Sequence, residues 1–73
     1  MYRIIDLTVM SAGSTKYGKI YSIEARHIML ILVAIDSNGV VTVVITNPNL
    51  PDEDKEFLLL FFKALVEKGK IEF

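Results

Sequence analysis

The chain contains no cysteine and no tryptophan. Without cysteine there can be neither a disulfide framework nor a thiolate metal site. His27 is the sole histidine, so no second imidazole exists to complete a metal or catalytic cluster. Long apolar runs are also missing. The longest, Ile28 to Ile35, has eight residues, whereas a membrane-spanning helix needs about 20. Arg3 and Asp6 interrupt the N-terminal stretch and no long apolar core follows, so it does not read as a signal peptide. These absences predict a mature, soluble, cytoplasmic chain without a membrane segment. Positive charge is not in excess either. A net charge of −1 argues against a general basic nucleic-acid binder. Glutamine is absent too, and isoleucine occurs nine times, a composition that suits a hot environment.

What is present is apolar. The chain has 73 residues, of which 52% are hydrophobic, and its mean hydropathy is +0.44. That length predicts one domain, residues 1–73, too small for a dinucleotide-binding domain or a (β/α)₈ barrel. The composition is the opposite of a disordered one. Yet a domain near 60 residues hides only about 60% of the surface its unfolded chain exposes. It should be rich in polar residues. With membrane insertion excluded by run length, burial against another chain is the explanation that remains.

Residues 2–10 read as a first strand, because Ile5, Leu7 and Val9 alternate with a mixed face. Residues 11–16, small and polar, read as a turn. Residues 17–24 form a second strand in which Tyr17, Lys19, Tyr21 and Ile23 share one face. Residues 27–35 are apolar at both parities, the pattern of a strand buried on two sides. Asp36-Ser37-Asn38-Gly39 is a turn, since Asn and Gly tolerate positive φ. The β-branched run Val40–Thr46 completes a hairpin. Two prolines, Pro48 and Pro51, then stop the sheet. Asn49 or Leu50 takes the cap position of a helix over 52–68, Asn49 having the capping chemistry and Pro51 suiting the first turn. Asp52, Glu53, Asp54 and Glu56 meet the positive end of its dipole, with Lys68 and Lys70 at the other end. Gly69 is placed for a left-handed terminus. The tail from Lys70 is either a short extra strand or frayed. The predicted fold class is therefore α+β: an antiparallel four-stranded meander followed by one C-terminal helix packed on the sheet.

This helix has more apolar surface than one sheet can cover. Placed at about 100° per residue, its apolar residues fill an arc of about 260°, against the stripe of a little over 100° that a helix lying on a sheet needs. Only Glu56, Lys63 and Glu67 make a polar stripe. The excess predicts a homodimer, with Leu58, Leu59, Phe62 and Val66 at the interface and the second face of the sheet as a further contact; the plainer reading is a helix clasped in a deeply curved sheet with a few exposed leucines, and a different protein partner would leave the same trace.

Chemistry-bearing patterns are few. Gly13 to Lys19 fits the spacing of a phosphate-binding loop, but Ile20 stands where the metal-binding hydroxyl belongs, and a strand follows instead of a helix. Its lysines then serve as solvated turn residues. Lys16, Tyr17, Lys19, Tyr21 and Arg26 combine aromatic rings with cations, as sheet surfaces that hold single-stranded nucleic acid do. Residues 1–35 carry four basic and two acidic residues, net +2, while residues 36–73 carry four basic and seven acidic, net −3. The plainer reading of the tyrosines is packed rings with wet hydroxyls. The acids at 52–56 lack calcium-loop spacing and are accounted for by the helix dipole. No metal site and no cofactor is expected. The first functional expectation is a small homo-oligomeric, non-enzymatic binding or accessory protein. The alternative is a single-stranded nucleic-acid binder using Tyr17, Lys19, Tyr21 and Arg26. A third, an enzyme, would need His27 to converge with Asp36 or Glu24.

Overall fold

Four strands and one helix follow one another in the computed structural model, which describes residues 6–73. The strands are β1 (Leu7–Thr15), β2 (Gly18–Ala25), β3 (Ile28–Ile35) and β4 (Val41–Thr46). The helix, α1, spans Asp52–Glu67. Each strand pairs antiparallel with its neighbour in the chain, giving the sheet order β1-β2-β3-β4. The result is the α+β meander expected from the patterning. Of the first strand predicted over 2–10, residues 2–5 lie outside the described residues.

The helix covers one face of the sheet. Ile23, Ile31, Val33 and Ile35 from β2 and β3 are fully buried with Leu58 and Phe62 of α1. The flanking strands add the partly buried Leu7, Val9, Val41 and Val43. Alternation along a strand sends the intervening residues to the other face. Ile20 pairs with Ala34 and Ser22 with Leu32 there. Ile20, Ser22 and Ala34 are buried at the middle of that face, while Met10, Val44 and Ile45 are exposed around it.

The first strand runs further than its composition suggests. Ser11 to Thr15 were expected to turn, but they continue pairing with β2, from Ser11↔Tyr21 to Thr15↔Gly18. The register shifts between Ser11 and Ser14, where Gly13 takes φ 102°. Glycine at a bulge lets small polar residues stay in a ladder. The turn itself is Lys16-Tyr17, closed by the Tyr17 N–H donating to Thr15 Oγ1 at 3.1 Å. At the opposite end, β2 and β3 are joined by Arg26-His27, with Ala25 pairing Ile28. Both residues hold positive φ, 53° and 67°, the requirement of a two-residue type I′ turn. His27 was expected to open the strand and instead forms this turn.

The Asp36–Gly39 turn forms where it is expected, with Gly39 but not Asn38 at positive φ. Asp36 Oδ1 accepts the N–H groups of Asn38 at 2.9 Å and Val40 at 3.0 Å, an Asx turn that fixes the β3–β4 hairpin. Asn47 then braces the crossing to the helix. Its Nδ2 donates to Met29 O, and its Oδ1 accepts the Asn49 N–H, both at 2.9 Å.

The helix start departs from the sequence expectation. The N-cap is Pro51, in extended geometry, and no side chain caps it. Asn49 cannot serve because it lies two residues early, with its N–H held by Asn47. The acids Asp52, Glu53 and Asp54 in the first turn are the favourable partners of the dipole there. At the other end, Gly69 takes φ 73°. Its N–H reaches Val66 O at 3.0 Å and that of Lys70 reaches Leu65 O at 2.9 Å. This paired closure satisfies the last carbonyls of the helix.

The tail after Gly69 is neither a strand nor frayed. Ile71 is buried in the core. The Tyr21 hydroxyl donates to Glu72 O at 2.9 Å, and Phe73 lies beside the Gly39 turn.

Candidate functional site

The apolar arc of α1 divides into two stripes. Leu58 and Phe62 have no accessible surface and face the sheet. Phe57, Leu59, Leu65 and Val66 are partly buried against the same cluster. Four residues had been expected at a subunit interface: Leu58, Leu59, Phe62 and Val66. That expectation requires correction for Leu58 and Phe62, whose surface is already consumed within the chain. Leu59 and Val66 flank them. The physical reason is geometric. An arc of about 260° fixes how much apolar surface exists, but not which part of it meets the sheet. A clue was available, because the centre of the inward stripe lies opposite Glu56, Lys63 and Glu67.

The second stripe is formed by Leu60, Phe61 and Ala64, with Phe57, which also packs against the core, at its boundary with the inward stripe. It spans about 100° of the helix circumference. Leu60 is 68% exposed, and Phe57, Phe61 and Ala64 are half-buried. These positions follow the i, i+3, i+4, i+7 spacing of a packing face. Glu53 and Lys68, both exposed, continue the same stripe one turn beyond each end. Sequence reasoning placed these residues within the apolar arc without singling them out.

The basic and aromatic residues do not form one surface. Lys16 and Tyr17 sit at the β1–β2 turn, and Arg26 at the β2–β3 turn. The eight residues of β2 separate these turns by about 26 Å. Tyr17 is 65% exposed, with Lys16 Nζ 5.1 Å from its ring centroid. Tyr21 is on the helix side, where its ring meets that of Phe62 at 5.7 Å. Lys19 Nζ is 3.9 Å from Glu72 Oε2, a pair in solvent worth little. Tyr21 therefore behaves as the plainer reading had it, with a packed ring and a bonded hydroxyl. Of the proposed nucleic-acid set, Lys16 and Tyr17 stay together and exposed, and Lys19 is half-exposed beside them.

The remaining candidates are scattered. His27 and Asp36 flank opposite ends of β3. Glu24 lies across the sheet from Met29 and accepts from Ser22 Oγ at 3.4 Å. The Gly13–Lys19 motif is a hairpin, with no helix N-terminus to receive a phosphate. Among the described residues there is no group of three or more His, Asp or Glu that could hold a metal. A cleft of about 180 Å³ lies between Ile28, Leu30, Asn47, Asn49 and Leu50. Another, of about 190 Å³, lies between Gly39, Val41, Lys63, Val66 and Glu67. Both fall below the roughly 300 Å³ at which small-molecule sites begin. Among the described residues no helix is long and apolar enough to cross a membrane.

No protein-family model matches the chain, and neither the curated proteins nor the solved structures contain a match to it.

Proposed function

We propose that the protein is a non-enzymatic, self-associating binding module that forms a homodimer through the outward stripe of α1. The observation that carries this reading is the stripe itself: Leu60, Phe61 and Ala64 on a helix whose other apolar face, Phe57 included, packs on the core. Moving an exposed leucine out of water gains about 1.5–3 kcal/mol when burial is complete. Leu60 is 68% exposed, and a partner that covers it together with Phe61 and Ala64 removes a contiguous apolar patch from water. A cytoplasmic location goes with this reading, supported by a composition that needs no oxidising compartment.

Light scattering on the purified chain tests it. The expected mass at micromolar concentration is twice the 8.2 kDa of one chain. Leu60→Glu places a charge in the seam and should return the mass to that of a single chain, with the circular dichroism spectrum unchanged. A wild-type monomer across the micromolar range would refute the reading.

A further inference from the structure

We infer that the two copies pack with their α1 helices antiparallel, on a two-fold axis passing between Leu60 and Phe61. This rests on the self-association proposed above and adds its orientation and register. The stripe is asymmetric along its length. It begins at Glu53 and ends at Lys68, both exposed. An antiparallel pair centred between Leu60 and Phe61 sets Glu53 of each copy against Lys68 of the other, twice. Leu60 meets Phe61 at the centre.

The parallel arrangement does the reverse. Glu53 would face Glu53 and Lys68 would face Lys68, like charge against like at both ends. The helix dipoles agree with the choice. The first turn carries Asp52, Glu53 and Asp54, and Lys68 is the C-cap residue, so a parallel pair brings two acidic ends together. The antiparallel pair brings each acidic end beside Lys68 of the other copy. A two-fold axis makes the two contacts identical, so the interface closes on itself as a dimer.

The absence of cysteine makes cross-linking a direct test. Glu53→Cys and Lys68→Cys chains are prepared separately, mixed and oxidised. In the antiparallel register these two positions come together. Within either variant alone, the two thiols lie about 22 Å apart, well beyond the roughly 7 Å that a disulfide can bridge. The expected result is a cross-linked dimer in the mixture and almost none in either variant alone. Self-cross-linking of Glu53→Cys alone would show a parallel pair and overturn the inference. A wild-type dimer by light scattering with no cross-link in the mixture would overturn the register and leave self-association standing. A wild-type monomer would overturn both. Charge exchange gives an independent readout. Glu53→Lys and Lys68→Glu should each weaken the dimer about 3- to 10-fold, and the doubly exchanged chain should recover wild-type affinity. Additive weakening in the double variant would contradict the pairing.

Discussion

Replacing Arg26-His27 by Asn-Gly should stabilise the fold. Both residues hold the left-handed conformation, at φ 53° and 67°, because Ala25 and Ile28 pair directly and leave only two residues for the turn. An L-residue pays about 1–2 kcal/mol to enter that region. Asparagine enters it more readily and glycine without steric cost. Glycine gives back roughly 0.5–1 kcal/mol through the greater freedom of the unfolded chain. The net expectation for the pair is a gain of about 1–2 kcal/mol. For a chain of this length that corresponds to a rise in melting temperature of about 5–15 °C. Both side chains are exposed, so no core packing is lost in the exchange. Urea denaturation followed by circular dichroism measures the effect at fixed protein concentration, because dimerisation would otherwise contribute. The midpoint should rise with an unchanged slope. An unchanged or lower midpoint would refute the argument from backbone strain.

Two glycines and two leucines provide further tests. At Gly18, with φ 123°, an added Cβ would lie 2.7 Å from the Ile35 carbonyl carbon and overlap its oxygen. Gly18→Ala should therefore cost about 3 kcal/mol or more. Gly13→Ala, with φ 102° and nothing within 4 Å of the new atom, should cost only about 1 kcal/mol of strain. Equal effects in denaturation would contradict the close approach of β2 to the end of β3. Leu58→Ala should destabilise the chain by about 2–5 kcal/mol. Leu60→Ala should stay within about 0.5 kcal/mol under dilute, monomeric conditions, yet weaken the dimer about thirtyfold or more. Reversed outcomes at the two leucines would mean that the inward and outward stripes have been exchanged.

The residues that made the fold legible are those with a single conformational answer. Asp36 to Gly39 could only turn, Gly69 could only end a helix, and the two prolines could only stop the sheet. The elements that escaped notice used residues with several answers. Ser11 to Thr15 look like a turn by composition, but the bulge at Gly13 keeps them in the ladder. Arg26 and His27 carry no turn signature, and the two-residue loop became visible only through the register on either side of it. Pro51 took a cap position for which Asn49 was chemically better suited, because the hydrogen bonds of Asn47 had already fixed the chain's path. The candidate surface was half legible. Periodicity revealed surplus apolar area on α1, but Leu58 and Phe62 fell on the wrong side of the division because only the sheet decides which stripe is inward.

The strand order has a kinetic consequence. Every strand pairs with the one before it, so each ladder can zip from a nearby turn, and loop closures of a few residues cost little entropy. The Tyr21–Glu72 hydrogen bond closes a separation of 51 residues. It requires both the sheet and the helix to be in place. A contact of that separation should form late, and it ties the residues beyond the helix to β2. Interactions formed after the folding barrier slow unfolding more than they speed folding. The tail thus bears on how long the native state persists, and much less on how quickly it is reached.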